Sequence, residues 1–254
     1  MARRFAFLDH PTPTAIAHRG GAQEREENTL PAFAHAVELG YTHVELDVHA
    51  TRDGVVVIHH DPTLVRMTGD PRAIADLDWA ELRAIRTLGG AEIPRLEALF
   101  EEFPALYVNI EAKSDAVAAP LAALIRRMGV LERIAVGSFR QVRTAQLRAL
   151  LGEGLCWSPA HVPVACLWLR GWGLPAPLGR FPVVQVPEVY KGIPVVTPRF
   201  VRAAHRAEIV VQVWTVNEAD AMVRLLDMGV DAIMTDCPTL LRQILEDRGE
   251  WTGN

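Results

Sequence analysis

The chain has 254 residues, half of them hydrophobic, which suits one large globular domain or at most two small ones. Its 26 basic and 31 acidic residues give a net charge of -5 with no basic block, which argues against a nucleic-acid surface. Three widely spaced cysteines argue against a disulfide framework and a zinc site, and no apolar stretch is long enough to span a bilayer. We therefore expect a cytoplasmic protein without stable membrane insertion.

A repeated pattern, in which a helical run ends in glycine and a short apolar strand follows, indicates a parallel α/β protein. The glycines at these helix ends fit a left-handed position, and they are Gly40, Gly129, Gly152 and Gly229. The predicted strands lie at 15–19, 43–48, 106–111, 133–138, 154–157, 182–186, 209–215 and 231–235. The predicted helices lie at 29–39, 95–103, 115–128, 140–150, 198–206, 218–228 and 238–247. Eight strands and this length predict a (β/α)8 TIM barrel, with residues 1–254 as a single catalytic domain. The alternative is a doubly wound open sheet, which no glycine-rich nucleotide loop supports.

The second strand is followed by "GVVVIHH", too closely for a parallel crossover between the two segments. An Asp-Gly pair between them favours a two-residue hairpin loop. In that register Arg52 faces Val55, and Asp47 faces His60. We therefore predict a β-hairpin extension of the second strand that brings His60 beside Asp47, followed by a small insertion or lid at 61–93.

Carboxylates occupy the inner faces of two predicted barrel strands, where side chains are normally apolar. Because strand side chains alternate, Glu45 and Asp47 share the inner face of the second strand, and Glu111 lies on that of the third. Buried unpaired carboxylates are costly, and a bound hard cation removes the cost. Oxygen ligands without cysteine favour Mg²⁺ or Ca²⁺. The alternative is an ion-pair network with Arg19 and Lys113.

Two histidines are expected to converge on these carboxylates. His18 ends the first strand and His60 ends the hairpin, and histidine titrates near neutrality, which suits acid–base work. His43 and His49 are interpreted as structural residues. Arg19 presents a fork of donors that suits phosphate oxygens.

Six motifs occur in a fixed order along the chain, namely "AHRGG", "ENTLPAF", "VELDVHATRDGVVVIHHDPTLVRMT", "NIEAK", "VWTVN" and "GVDAIMTDCP". Together they resemble the glycerophosphodiester phosphodiesterase family over about residues 15 to 245. The resemblance implies a (β/α)8 barrel with a small insertion after the hairpin. It implies catalytic His18 and His60, metal-binding Glu45, Asp47 and Glu111, phosphate-binding Arg19 and Lys113, and Trp214 in the pocket wall. For Trp214, a place in the core is the alternative.

The resemblance also implies an activity, the metal-dependent hydrolysis of glycerophosphodiesters to sn-glycerol 3-phosphate and an alcohol by histidine acid–base catalysis. The implied cofactor is a divalent cation, Mg²⁺ or Ca²⁺, and the implied partner is a small-molecule glycerophosphodiester. The order of the two histidines, the headgroup, the cyclic-phosphate or direct-water route and the oligomeric state stay open. One alternative is a phospholipase of C or D type acting on lysophospholipids, with Trp168, Leu169 and Trp172 as an apolar rim rather than part of a packed helix. Another is a non-catalytic barrel that binds a phosphate ester.

Overall fold

The computed structural model describes residues 5–253, in which eight parallel strands form a nearly closed barrel surrounded by helices. The barrel strands are β1 (Thr14–His18), β2 (His43–Ala50), β4 (Tyr107–Ala112), β5 (Ile134–Gly137), β6 (Cys156–Trp157), β7 (Val183–Pro187), β10 (Val210–Trp214) and β11 (Ala232–Thr235). Three further strands are β3 (Val56–Ile58), β8 (Val189–Tyr190) and β9 (Ile193–Pro194). The helices are α1 (Leu30–Glu38), α2 (Val65–Thr68), α3 (Trp79–Leu82), α4 (Leu96–Glu102), α5 (Ala118–Met128), α6 (Gln141–Leu151), α7 (His161–Gly171), α8 (Pro198–Arg206), α9 (Ala219–Asp227) and α10 (Pro238–Asp247).

The eight predicted barrel strands and seven predicted helices are therefore confirmed, and the open-sheet alternative is wrong. The four glycines predicted at helix ends all have positive φ, between 66° and 85°. The strands pair in the order β6-β5-β4-β2-β1-β11-β10-β7. Within residues 5–253, no helix combines the length and the apolar character that crossing a membrane requires.

The seam of the barrel lies between β6 and β7. Among the described residues these two strands share no backbone ladder. Instead, the Ser158 hydroxyl oxygen accepts a hydrogen bond from the backbone N–H of Gln185 at 3.0 Å. A side chain thus closes the barrel where elsewhere the backbone does.

Polar and aromatic side chains fill the barrel below its carboxyl end. The side-chain amide of Gln185 donates to Asn109 Oδ1 at 2.8 Å and to Gln212 Oε1 at 3.0 Å. Deeper in the barrel, the His43 ring stacks on Tyr107 with centroids 4.9 Å apart. Burial lowers the pKa of His43 to about 3, so this ring stays neutral at physiological pH.

The predicted hairpin forms from β2 and β3, but its register differs from the prediction. Thr51, rather than Arg52, faces Val55, with Thr51 N donating to Val55 O at 3.0 Å. The loop therefore has three residues and ends at Gly54, whose φ is 83°. The Thr51 hydroxyl donates to Asp53 Oδ1 at 2.6 Å inside this turn, which stabilises the longer loop.

The shifted register changes the partner of Asp47. Its carbonyl oxygen accepts a hydrogen bond from His59 N at 2.9 Å, so His59 lies opposite Asp47 and the predicted Asp47–His60 pairing is wrong. The ladder ends at Ile58, and the chain then turns so that the His60 side chain still lines the cavity at the barrel mouth. His60 therefore reaches the cavity because the chain leaves the ladder after Ile58, and not because His60 pairs with Asp47.

The segment 61–93 carries α2 and α3 and forms, together with Val57 of β3, a small core separate from that of the barrel. The buried residues of this core are Val57, Leu64, Ile74, Leu77, Leu82 and Ile93. The proposed role of the insertion as a lid stays a prediction.

Helix α7 is not one of the seven predicted helices, although a packed helix was the alternative to an apolar rim at Trp168 and Leu169, which both lie in it. Pro163 lies in its first turn, where proline is tolerated, and most of the helix is apolar, so the sequence lacks a polar face that would reveal its period. A Cβ atom on Gly171 would lie 3.2 Å from Arg199 O, which shows how closely α7 approaches α8.

Candidate active site

The register of three neighbouring strands brings the predicted carboxylates together. His18 pairs with Glu45 across β1 and β2, and Asp47 pairs with Glu111 across β2 and β4. Oxygen atoms of Glu45, Asp47 and Glu111 all lie within 4.8 Å of one another. The three side chains therefore form one cluster at the carboxyl end of the barrel, where enzymes of this architecture place their chemistry.

The three carboxyl groups of this cluster differ in how readily they ionise. Glu45 is 4% exposed, and burial together with the nearby charge of Asp47 raises its pKa to about 8. Burial also raises the pKa of Glu111. Burial would raise the pKa of Asp47 too, but Lys113 and Arg19 outweigh it, and this pKa is lowered. The local cations therefore compensate the negative charge of Asp47 but not a negative charge on Glu45.

The two cations predicted near the cluster are both present. Lys113 Nζ lies 3.0 Å from Asp47 Oδ1 and 2.9 Å from Glu111 Oε2. Arg19 Nε lies 3.1 Å from Asp47 Oδ2 without forming a hydrogen bond to it. The ion-pair network and a metal site are therefore compatible, because the Glu45 carboxylate accepts a hydrogen bond from the Arg19 backbone N–H at 3.3 Å but pairs with neither the Arg19 guanidinium nor the Lys113 ammonium in the described structure. Three oxygen donors at this spacing fit a hard divalent cation.

His18 lies between two carboxylates. Its Nδ1 is 2.6 Å from Asp236 Oδ1, and its Nε2 is 3.6 Å from Glu45 Oε2. Burial would lower the pKa of His18, but Glu45 and Asp236 outweigh it and raise this pKa. Asp236 is itself held in place, since its Oδ2 accepts a hydrogen bond from the Asn217 amide at 2.8 Å.

His60 has a similar arrangement on the other side of the cluster. Its Nδ1 lies 2.6 Å from Asp61 Oδ1, and Asp61 Oδ2 accepts a hydrogen bond from Arg66 Nε at 2.6 Å. The His49 ring, expected to be structural, bonds the carbonyl oxygen of His60 at 3.1 Å. Each candidate catalytic histidine thus carries an aspartate on Nδ1.

Several residues of the site were not singled out by the sequence. Asp236 and Asp61 stand in quoted motifs, directly after β11 and directly after His60. Their positions at a strand end and beside a candidate histidine are the signals that could have found them. Asn28 has a φ of 59° and donates from its amide to Asp47 Oδ2 at 2.9 Å.

The backbone that carries Arg19 is fixed by close packing. Arg19, Gly20 and Gly21 have φ values of 53°, 83° and 103°, a conformation that favours glycine. A Cβ atom on Gly20 would lie 2.8 Å from Ala32 Cβ, and one on Gly21 would lie 2.7 Å from Pro238 Cγ. The two glycines let this loop pack against the first turns of α1 and α10.

These groups open into one cavity of about 480 Å³ at the barrel mouth. The predicted site residues in its wall are His18, Arg19, Glu45, His60, Glu111, Lys113 and Trp214, with Asp47 buried behind them. None of the described wall residues comes from the insertion at 61–93. The structure therefore gathers all eight predicted site residues at one place.

Known proteins resemble the chain over nearly its whole length. The family model described as "Glycerophosphoryl diester phosphodiesterase family" matches residues 18–240. The "Probable glycerophosphodiester phosphodiesterase 2" of Mycobacterium tuberculosis is 40% identical over 97% of this chain and 96% of its own length. A crystal structure from Silicibacter pomeroyi, assigned to the same enzymes, is 26% identical with a TM-score of 0.81 and covers 98% of this chain and 100% of its own. An Oleispira antarctica phosphodiesterase, solved with the product sn-glycerol-3-phosphate, is 22% identical with a TM-score of 0.76 and covers 92% of this chain and 97% of its own. The chain therefore belongs to the glycerophosphoryl diester phosphodiesterase family and is an enzyme of that class.

Proposed function

We propose that the protein hydrolyses glycerophosphodiesters to sn-glycerol 3-phosphate and an alcohol, with a divalent cation held by Glu45, Asp47 and Glu111. The observation that carries the proposal is the convergence of these three carboxylates and two histidine–aspartate pairs on one cavity. The family supports the substrate class, and the product bound to the Oleispira antarctica phosphodiesterase agrees with it.

The three carboxylates would hold the cation through oxygen atoms alone, which suits Mg²⁺ or Ca²⁺. When bound, the ion supplies positive charge that polarises the phosphoryl group and stabilises charge developing on it. Glu45 gains most from such an ion, because burial and Asp47 disfavour its ionised form. The fit rests on the donor atoms and their spacing.

The two histidines act as base and acid in this proposal. A carboxylate on Nδ1 favours the tautomer with its proton on that nitrogen, which leaves Nε2 free to take or give a proton. By resemblance, His18 removes a proton from the nucleophile and His60 protonates the leaving alcohol. Arg19 and Lys113 offset negative charge on the phosphoryl oxygens.

The test measures hydrolysis of glycerophosphocholine with added Mg²⁺ or Ca²⁺. We expect His18→Ala and His60→Ala each to lower kcat by about 10² to 10⁴-fold, the usual contribution of a general acid or base. Chelation should abolish turnover, and either ion should restore it. The control is His205→Ala, which removes a histidine in the last turn of α8 that bonds Asp231. Wild-type turnover in both site variants would refute the acid–base roles, and activity that survives chelation would refute the metal.

A further inference from the structure

The cavity has two chemically different sides. The polar side is formed by β1, β2, β4 and the residues after β3. The other side is formed by the segments that follow β5, β6, β7 and β10, which are contiguous around the barrel across its seam. Its side chains are mostly apolar and include Phe139, Val164, Trp168, Tyr190 and Ile193. The apolar side, defined by these five residues, has no part in the chemistry proposed above.

The apolar side is built from parts that support one another. The Trp168 indole donates from Nε1 to Pro194 O at 3.0 Å, which ties α7 to the hairpin formed by β8 and β9. The ring of Phe139 contacts that of Trp214 at a centroid distance of 5.4 Å. On its other side, Phe139 lies 6.0 Å from His161, which lies 5.4 Å from Tyr190. A continuous row of rings therefore leads from the catalytic end to the hairpin.

Three of these five side chains are exposed although they are large and apolar. Phe139 is 48% exposed, Tyr190 40% and Ile193 54%. Exposed apolar surface that continues a ligand cavity marks an interaction site, because covering it removes apolar area from water. Trp172, also considered for an apolar rim, lies outside the described wall and packs under the Arg199 guanidinium at 4.4 Å.

The charge of this side decides which substituent fits it. Among the described residues that line the cavity, the acidic ones are Glu45 and Glu111, both in the metal cluster. A headgroup ammonium would therefore meet no carboxylate on the apolar side. Aliphatic Val164, Val195 and Ile193 stand among the rings, which suits a hydrocarbon chain better than a closed aromatic cage for a cation.

We propose that the apolar side binds a hydrocarbon chain of the substrate while the phosphodiester lies at the histidine and carboxylate end. This inference rests on the proposed function and names its preferred substrates as glycerophosphodiesters that carry a lipid-like chain. The chain could be an acyl group on the glycerol, as in a lysophospholipid, or the leaving alcohol itself. Both sources present the same chemistry to this wall.

Two series of substrates distinguish a chain on the glycerol from a chain on the leaving alcohol. The first extends glycerophosphocholine with glycerol-linked acyl chains of increasing length, all below their critical micelle concentrations. The second extends the leaving alcohol from ethanol to octanol. We expect kcat/KM to rise by about two- to fourfold per methylene in one series and then to level off, as a chain fills the wall. The series that rises identifies the source.

Two variants locate the effect on the protein. Ile193→Asp places a charge in the wall at an exposed hairpin position, and it should lower the kcat/KM ratio of chain-bearing to chain-free substrate by at least about tenfold. Val223→Asp, at an exposed valine of α9 outside the described cavity wall, should leave this ratio unchanged.

Chain-independent kcat/KM in both series would overturn the inference. So would rates that follow the presence of a quaternary ammonium, because the ring row would then be a cation site. Absence of hydrolysis for every glycerophosphodiester would contradict the proposed function instead. In that case, Kd values of the same two series, measured by calorimetry, still decide whether the chain binds.

Discussion

Arg66 of the insertion and Glu27 of the loop before α1 form a two-point ion pair, with Nη2–Oε1 at 2.7 Å and Nη1–Oε2 at 3.1 Å. The same Glu27 carboxylate accepts from Arg19 Nη1 at 3.1 and 3.2 Å. Arg66 also bonds Asp61, the partner of His60. A single arginine of the insertion thus connects the candidate acid–base histidine with the candidate phosphate-binding arginine.

This connection predicts that Arg66→Ala weakens substrate binding and that a second substitution at Glu27 corrects the defect. In Arg66→Ala, Glu27 keeps Arg19 as its remaining partner and competes with substrate phosphate for it, so KM should rise by about fivefold, the effect of losing one ion pair. In the double variant Glu27→Gln/Arg66→Ala the competing charge is gone, and KM should return toward the wild-type value. Steady-state kinetics on glycerophosphocholine measures both.

The matched control for Arg66 is Arg72→Ala in the same insertion, since Arg72 pairs with Asp70 at the surface. Its KM should equal that of the wild type. A double variant as impaired as Arg66→Ala would show that Arg66 acts through Asp61 or the fold of the insertion rather than through the availability of Arg19.

Asp236 is predicted to position His18 through the contact at Nδ1. Asp236→Asn keeps the shape but favours the wrong tautomer, so kcat should fall by about 10² to 10⁴-fold with a much smaller change in KM. Asp247→Asn, at a surface position that bonds Gln243, should leave both parameters unchanged. A rise in KM of the same size with an unchanged kcat would assign Asp236 to substrate binding.

The Asp61 carboxyl gives a pH dependence of stability. Burial opposes its ionisation, but hydrogen bonds from Arg66 and His60 outweigh burial and lower its pKa from 3.8 to about 2. Because the folded-state pKa is depressed, ionised Asp61 stabilises the fold above about pH 4, and this contribution declines as the pH falls toward about 2. Urea midpoints of wild type and Asp61→Asn should differ most above about pH 5 and converge only as the pH falls to about 2. A difference independent of pH would contradict this linkage.

Cation binding should be visible without turnover. Mg²⁺ or Ca²⁺ should raise the Tm of the wild type, because an ion that binds only the folded state stabilises it. Glu45→Gln should raise or preserve the metal-free Tm, since it replaces a buried carboxyl whose ionised form is disfavoured by burial and Asp47, and should respond less to the ion. Differential scanning calorimetry with and without chelator measures both effects. An equal response of the two proteins would place the ion elsewhere.

Gly20 should tolerate a side chain poorly for two separable reasons. Gly20→Ala adds a Cβ atom 2.8 Å from Ala32 Cβ at a φ of 83°, whereas Gly173→Ala has a φ of 78° and no atom within 4 Å. Both should lose about 1 kcal/mol of unfolding free energy from backbone strain, and Gly20→Ala about 1–3 kcal/mol more from the clash. Urea unfolding of the two variants tests the difference, and equal losses would show that the loop relaxes.

The sequence predicted most of this fold because alternation and helix-end glycines are local signals. The inward positions of Glu45, Asp47 and Glu111 followed from a period of two on strands whose ends were well marked. The hairpin register did not follow, because an Asp-Gly pair fits both two- and three-residue loops, and the hydroxyl of Thr51 selects the longer one. Contacts such as His18–Asp236 join residues 218 positions apart, and only the closure of the barrel brings them together.

The barrel seam has a mechanical consequence. Elsewhere around the barrel, separating two neighbouring strands means breaking several backbone hydrogen bonds at once. Between β6 and β7, the Ser158–Gln185 contact is a single hydroxyl-to-amide bond. Helix α7 and the β8–β9 hairpin lie on either side of this seam and are joined by the hydrogen bond from Trp168 Nε1 to Pro194 O. Spreading the wall they form would therefore break two side-chain hydrogen bonds rather than a backbone ladder. The part of the barrel that carries the histidines is joined by continuous backbone ladders and would keep its geometry while the wall beside the seam moves.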